Sequence, residues 1–240
     1  MKDINESPFV FGVKVEGDAF TDRKEETETL KMNFTYGVNT ILISPRRMGK
    51  TSLVDKASRL VESNDIRIAR MDAFGCRSEE DFVNAFATAV IRATSSKWEE
   101  WMYKKTTEDI LQLPEVIAKE KSCRIVICID EFQQIGDFPD SLTFQKKLRG
   151  IWQLQTRVSY CLYGSKKHMM ENIFQNASFP FYRFGDIIYL KKIDEADWVE
   201  YICRKFEKSG KMISKELAGE ICQITDRYSS YVQQLAWFVW

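Results

Sequence analysis

Residues 38 to 51 read Val-Asn-Thr-Ile-Leu-Ile-Ser-Pro-Arg-Arg-Met-Gly-Lys-Thr, an apolar, β-branched run that ends in a small, basic, glycine-containing loop. These residue types hold phosphate. A loop that leaves a buried strand and opens a helix presents successive backbone N–H groups to an anion, and the helix directs the positive end of its dipole at the same point. Gly49 lets the backbone approach closely, Lys50 reaches the β- and γ-phosphates, and the Thr51 hydroxyl is a ligand for Mg²⁺. The nucleotide-binding set is Ser44, Pro45, Arg46, Arg47, Met48, Gly49, Lys50, Thr51 and Ser52. Ser44 stands where such a loop carries its first glycine, and serine does not adopt positive φ cheaply.

A second constellation follows the apolar run Ile125–Ile129. Asp130 leaves the strand end as a ligand for Mg²⁺, directly or through water, and the adjacent Glu131 orients and polarises a water for in-line attack on the γ-phosphate. Alone, an Asp-Glu pair is a weak signal; joined to Gly-Lys-Thr it is a specific one. Ser165, after the strand-like run Ser159–Tyr163, has two readings: a hydroxyl that senses the γ-phosphate or positions the attacking water, and an N-cap for a helix over Lys166–Gln175. Arg46 and Arg47 lie in the loop itself, one suited to phosphate and the other to an acidic partner.

The elements that must position these residues are legible as alternating runs. Strands are expected at Thr40–Ile43, Ile66–Met71, Arg124–Ile129, Ser159–Tyr163 and Ile187–Leu190, separated by segments of helical periodicity, the pattern of a parallel α/β sheet. Two of them are nearly continuous apolar runs, as central strands covered on both faces require. Helices are expected over Ser78–Thr94 and Lys97–Lys121, the latter with an aromatic cluster of Trp98, Trp101 and Tyr103 that reads as packing. From Asp194 onward only helices are expected, at Glu195–Lys208, Ser214–Thr225 and Tyr228–Trp240. The expected division is a core over 1–192 and a small helical lid over 193–240. The apolar helical end Ala236–Trp240 points to a longer polypeptide or to a terminus docked on the lid.

The 240 residues are 44% hydrophobic and 29% charged, enough to bury a sizeable core. Lys and Arg number 35 and so do Asp and Glu, so no whole-molecule field draws the chain to nucleic acid or anionic lipid. The short basic clusters Lys146-Lys147-Leu148-Arg149 and Lys166-Lys167-His168 read as solvated helix faces. No apolar run approaches the roughly 20 residues of a membrane span, and the polar start is no secretory signal, so a cytoplasmic protein is expected. Six cysteines without a C-x-x-C pair, and a single histidine, His168, exclude a zinc-ribbon reading and leave reduced core thiols.

Taken together, Phe20–Glu26, Ser-Pro-Arg-Arg-Met-Gly-Lys-Thr-Ser-Leu at 44 to 53, Ile-Asp-Glu-Phe-Gln at 129 to 133, Gly164-Ser165, Pro180–Arg183 and Tyr231–Ala236 resemble the archaeal-type ATPase family, on the AAA+/STAND side of the P-loop NTPases. The resemblance implies a five-stranded parallel sheet sandwiched by helices, an N-terminal segment over the adenine, the helical lid, and in many relatives a winged-helix domain beyond it. It implies ATP and Mg²⁺ as cofactors and the catalytic residues Glu131, Lys50, Ser165 and Arg183, with Thr51 and Asp130 at the metal. Arg183 falls in the region from which AAA+ proteins offer an arginine to a neighbouring subunit, the alternative being a surface or structural ion pair, for which Asp186 is one candidate partner. Two departures stand out: Thr21 and Asp22 replace Ile and Gly in the N-terminal box, and Tyr228-Ser229 replaces His-Pro, with Ser229 available as a helix cap. The expected function is an ATP-hydrolysing P-loop ATPase. A low-turnover nucleotide-dependent switch or scaffold and a DNA-contacting initiator-like ATPase are the alternatives; ATP or ADP, an unknown protein partner and a second copy of the chain are the candidate partners, and the sequence does not set the oligomeric state.

Overall fold

A computed structural model describes residues 7–12, 23–94 and 105–240. The expected aromatic cluster at Trp98, Trp101 and Tyr103, and Phe20 to Asp22 of the N-terminal box, lie outside the described residues. Two compact units form, one from Met1–Thr27, Arg46–Lys56 and Leu190–Trp240, the other from Glu28–Pro45 and Ala57–Tyr189.

The second unit holds the sheet. Strands β1 (Thr40–Ile43), β2 (Ile66–Asp72), β3 (Arg124–Asp130), β4 (Val158–Gly164) and β5 (Asp186–Tyr189) are ordered β2-β3-β4-β1-β5, and every pairing is parallel. Side chains alternate across a strand. Ile125, Ile127 and Ile129 of β3, with Tyr160 and Leu162 of β4 and Ile41 and Ile43 of β1, therefore enter one core. The intervening Leu42, Val126, Cys128 and Cys161 are buried as well, which is why β3 and β4 lack an apolar/polar alternation. Cys128 faces Cys161 across the ladder. Its hydrogen bond and burial push the Cys161 thiol well above its ordinary value, so it remains a protonated core residue.

The core over that sheet face is aromatic. Helices α3 (Glu79–Thr94) and α5 (Ser141–Trp152) contribute Phe82, Phe86, Phe144 and Trp152, and the Trp152 ring stacks on Tyr160 at 4.0 Å between centroids. Helix α4 (Thr107–Glu120) begins in a capping box between Thr106 and Asp109. Its Glu115 is 5% exposed and accepts hydrogen bonds from Thr156 N at 3.1 Å, Thr156 Oγ1 at 2.9 Å and Arg157 N at 2.9 Å. The loop that feeds β4 is thereby tied to α4.

The first unit is helical. Helices α7 (Glu195–Lys208), α8 (Lys215–Ile224) and α9 (Ser229–Val239) pack around Trp198, Tyr201, Ile202, Phe206, Ile221 and Val232, with Phe9 inserted from the N-terminal segment. Ser214 caps α8 through Leu217 N at 3.2 Å. Ser229 does not cap α9: Tyr228 occupies the cap position, and Ser229 Oγ is buried without a hydrogen-bond partner. The chain enters α9 by a turn that leaves the hydroxyl inside. Helices α1 (Lys24–Tyr36) and α2 (Lys50–Val61) run from one unit into the other along the chain, and α6 (Lys167–Gln175) follows β4. No helix among the described residues is long and apolar enough to cross a membrane.

Candidate functional site

Strand β1 ends at Ile43 and the chain turns through Ser44 to Gly49 before α2 opens at Lys50. The positive φ angles in this loop fall at Arg47 (67°) and Gly49 (83°) and not at Ser44. The left-handed step is thus taken later in the loop, and Ser44, 1% exposed, bonds its hydroxyl to Pro45 O at 3.0 Å. A Cβ at Gly49 would meet nothing within 4 Å, so the demand for glycine there is dihedral. Leu53 N bonds Gly49 O at 3.0 Å, which starts the α2 ladder. Lys50 is 7% exposed, and Thr51 and Ser52 are half-buried.

Within the same unit the loop is tied to its neighbours at two points that sequence reasoning had not assigned. The Arg47 carbonyl accepts from Ser230 N at 3.2 Å, and the Arg47 guanidinium lies 4.6 Å from the centroid of the Tyr231 ring. Arg47 therefore engages α9. Arg23, 4% exposed with φ of 69°, donates to Lys191 O at 2.5 Å, Glu26 Oε1 at 3.0 Å and Met48 O at 3.5 Å. A planar five-donor group is suited to joining acceptors from separate segments. Gln233, in the Tyr-Val-Gln-Gln run, accepts from Val10 N at 3.3 Å and donates to Tyr201 OH at 2.9 Å.

In the sheet unit, β3 and β4 are neighbours, so Asp130-Glu131 and Gly164-Ser165 come together at one strand edge. Asp130 Oδ1 accepts from Glu131 N at 2.8 Å, and the chain breaks from the strand with Glu131 left-handed (φ 49°, ψ 38°) into a 3-10 helix over Phe132–Asp137. For a residue with a Cβ this conformation costs roughly 1–2 kcal/mol. Glu131 Oε2 accepts from Ser165 Oγ at 2.8 Å, from Ser165 N at 3.4 Å and from Gln133 Nε2 at 2.5 Å. Ser165, 9% exposed, thus spends its hydroxyl on Glu131; the cap position of α6 is Lys166, with no side-chain cap bond. The N-cap reading of Ser165 is set aside. Gln133 was missed by sequence reasoning, although an amide set among Phe132 and Ile135 is a visible irregularity.

Arg183 does not pair with Asp186. It is exposed, left-handed at φ 53°, and lies 5.2 Å from the Tyr182 ring centroid, while Asp186 Oδ2 accepts from Asn33 Nδ2 at 3.1 Å. The basic clusters are engaged within the fold: Lys147 pairs with Glu79 at 2.5 Å and Glu108 at 3.5 Å, Arg149 donates to Pro180 O at 3.2 Å, and Lys166 reaches Asp137 at 3.5 Å. The described cysteines are free thiols, and all but the half-buried Cys203 are buried.

A parallel sheet in the order β2-β3-β4-β1-β5, with a Gly-Lys-Thr loop after β1 and Asp-Glu at the end of β3, is the fold of an AAA+ type P-loop NTPase. Solved structures agree. The chain is similar to the Walker-type ATPase PABY2304 of Pyrococcus abyssi, with a TM-score of 0.76 and 15% identity over 93% of this chain and 68% of that one. It is similar to the Aeropyrum pernix ORC1 protein solved in complex with DNA (TM-score 0.66, 12% identity, 92% of this chain and 60% of that one). It is also similar to the Thermotoga maritima RuvB Holliday junction branch migration motor (TM-score 0.57, 15% identity, 92% and 63%). The chain therefore spans about 60–68% of the length of these proteins. No family model and no curated protein matches the sequence.

Proposed function

We propose that this chain binds ATP with Mg²⁺ and hydrolyses it to ADP and phosphate, and that the cycle drives or times a conformational change. The observation that carries the reading is the loop 44–52, left-handed at Arg47 and Gly49 and followed at once by the 12-residue helix α2. Its N–H groups and helix dipole suit a polyphosphate, and Lys50 adds a point charge for the β- and γ-oxygens. A hydroxyl (Thr51) and one carboxylate (Asp130) are hard-oxygen donors of the kind Mg²⁺ takes when phosphates and waters fill its other positions. Bound there, Mg²⁺ would offset phosphate charge.

Glu131 is the proposed acceptor of the attacking water's proton, with Ser165 bonded to it. Residues 193–240 are the proposed lid, and the contacts of Arg47 with α9 and of Arg23 with Met48 and Lys191 support coupling between lid and loop. Arg183, exposed and outside any described ion pair, is proposed to serve a second copy of the chain. Calorimetric titration tests the site: Lys50→Ala should weaken ATP binding by at least about 100-fold while the protein stays folded, since it removes the charge on the phosphates. Glu131→Gln should keep ATP bound and lower turnover by roughly 10²-fold or more. Unchanged affinity in a folded Lys50→Ala protein would end the nucleotide reading.

A further inference from the structure

We propose that Gln133 is a positioning residue for Glu131: its buried side-chain amide holds the carboxylate that activates water. The inference rests on the hydrolytic reading above. Three features at the β3–β4 edge each work against stability, and all three serve that one carboxylate. Glu131 is left-handed. Gln133 is 1% exposed, and its Oε1 is buried without a hydrogen-bond partner. Position 164 is a glycine inside a strand, and a Cβ there would run into Gln133 Oε1 as it is placed.

A residue that merely filled this space would be apolar, since an unpaired buried carbonyl is disfavoured and a methionine or leucine would remove it. What the amide adds is its other end. Nε2 donates to Glu131 Oε2 at 2.5 Å, beside the Ser165 hydroxyl at 2.8 Å. The two donors come from different elements, the 3-10 helix after β3 and the end of β4, so together they fix the carboxylate in direction as well as position. Reversing the amide would set Oε1 against a carboxylate oxygen, so only one orientation is bonded. Gly164 admits the amide, and Ser165 completes the pair.

The test compares steady-state turnover, ATP affinity and thermal stability in the full chain. Gln133→Met removes the donor together with the orphan carbonyl, so kcat should fall about tenfold or more, as for a displaced catalytic group. KM and the calorimetric ATP affinity should stay within about twofold of wild type, and the melting temperature should hold or rise. Gln133→Glu, nearly isosteric, sets a second carboxyl beside Glu131; like charges disfavour ionisation, so the acid limb of kcat should move to higher pH. In a Glu131→Gln background Gln133→Met should cost less than about a further twofold, because it acts through the lost carboxylate. A wild-type kcat and acid limb in both Gln133 variants, with Glu131→Gln inactive, would overturn this inference alone. So would a loss that adds in full to that of Glu131→Gln. Absence of turnover in the wild type, or full turnover in Glu131→Gln, would overturn the hydrolytic reading and this inference with it.

Discussion

At the scale of single residues, Gly49 and Arg47 share the left-handed turn of the proposed phosphate-binding loop but carry different demands. Arg47 tolerates φ of 67° because its carbonyl and guanidinium are both engaged by α9. Gly49 has no side chain to engage, so Gly49→Ala adds backbone strain of roughly 1–2 kcal/mol without a clash. The expected outcome is a small drop in melting temperature with a loss of ATP affinity of about tenfold or more, because a methyl group enters the concavity where N–H groups converge. Calorimetry and a thermal melt on the same variant check both halves. The sequence made Lys50, Thr51 and the Asp-Glu pair visible because they are local strings. It could not show Gln133 on Glu131, since that contact depends on β3 lying beside β4 and on the missing Cβ of Gly164.

Among elements, the strands were legible because each is an apolar run. β1 was expected at Thr40–Ile43 and occurs there, and the observed limits of the others differ by one residue. The helix α5 and the 3-10 turn before it were not separated in the sequence, since their aromatic residues make sense only once Phe132, Phe144 and Trp152 meet in one core. Glu115 illustrates an element junction that periodicity hides: it sits on the buried face of α4 and collects the backbone of the loop before β4. Burial alone would raise its carboxyl, but N–H of Arg157, Lys119, and the hydroxyl and N–H of Thr156 outweigh that and hold it below its ordinary value. A carboxylate depressed in the folded state contributes stability that is complete above the unfolded value of about 4.3 and is lost as pH falls through the folded value. Glu115→Gln should therefore destabilise the protein by about 1–3 kcal/mol at pH 7, and the gap to wild type should narrow as pH drops below about 4. Urea unfolding at the two pH values measures it; a gap that does not change with pH would show that charge has no part.

For the molecule as a whole, the exposed Arg183 bears on whether one copy suffices. A supplied arginine is worth about 10³–10⁵-fold in phosphoryl transfer. A lone copy should accordingly hydrolyse ATP slowly, and specific activity should rise with protein concentration. Mixing Arg183→Ala with Glu131→Gln chains should restore part of the rate by pairing an intact water-activating site with an intact arginine. Activity independent of concentration, with no recovery on mixing, would leave Arg183 a surface residue. Sequence alone offered an ion pair, with Asp186 as one candidate partner, as the other role for Arg183, and could not show that Asn33 already holds that carboxylate.

The three acceptors of Arg23 have a consequence for biosynthesis. Glu26, Met48 and Lys191 belong to one compact unit whose segments, Met1–Thr27, Arg46–Lys56 and Leu190–Trp240, are scattered along the chain. A ribosome adding about 5–20 residues per second makes strands β2 to β5 after the segment 44–52 and before the last of these partners. During those seconds Arg47 has no Tyr231 to stack on and Arg23 has no Lys191 carbonyl. The segment 44–52 thus waits without these tethers until α9 has left the ribosomal tunnel, and its final anchoring is a late event in the life of the nascent chain.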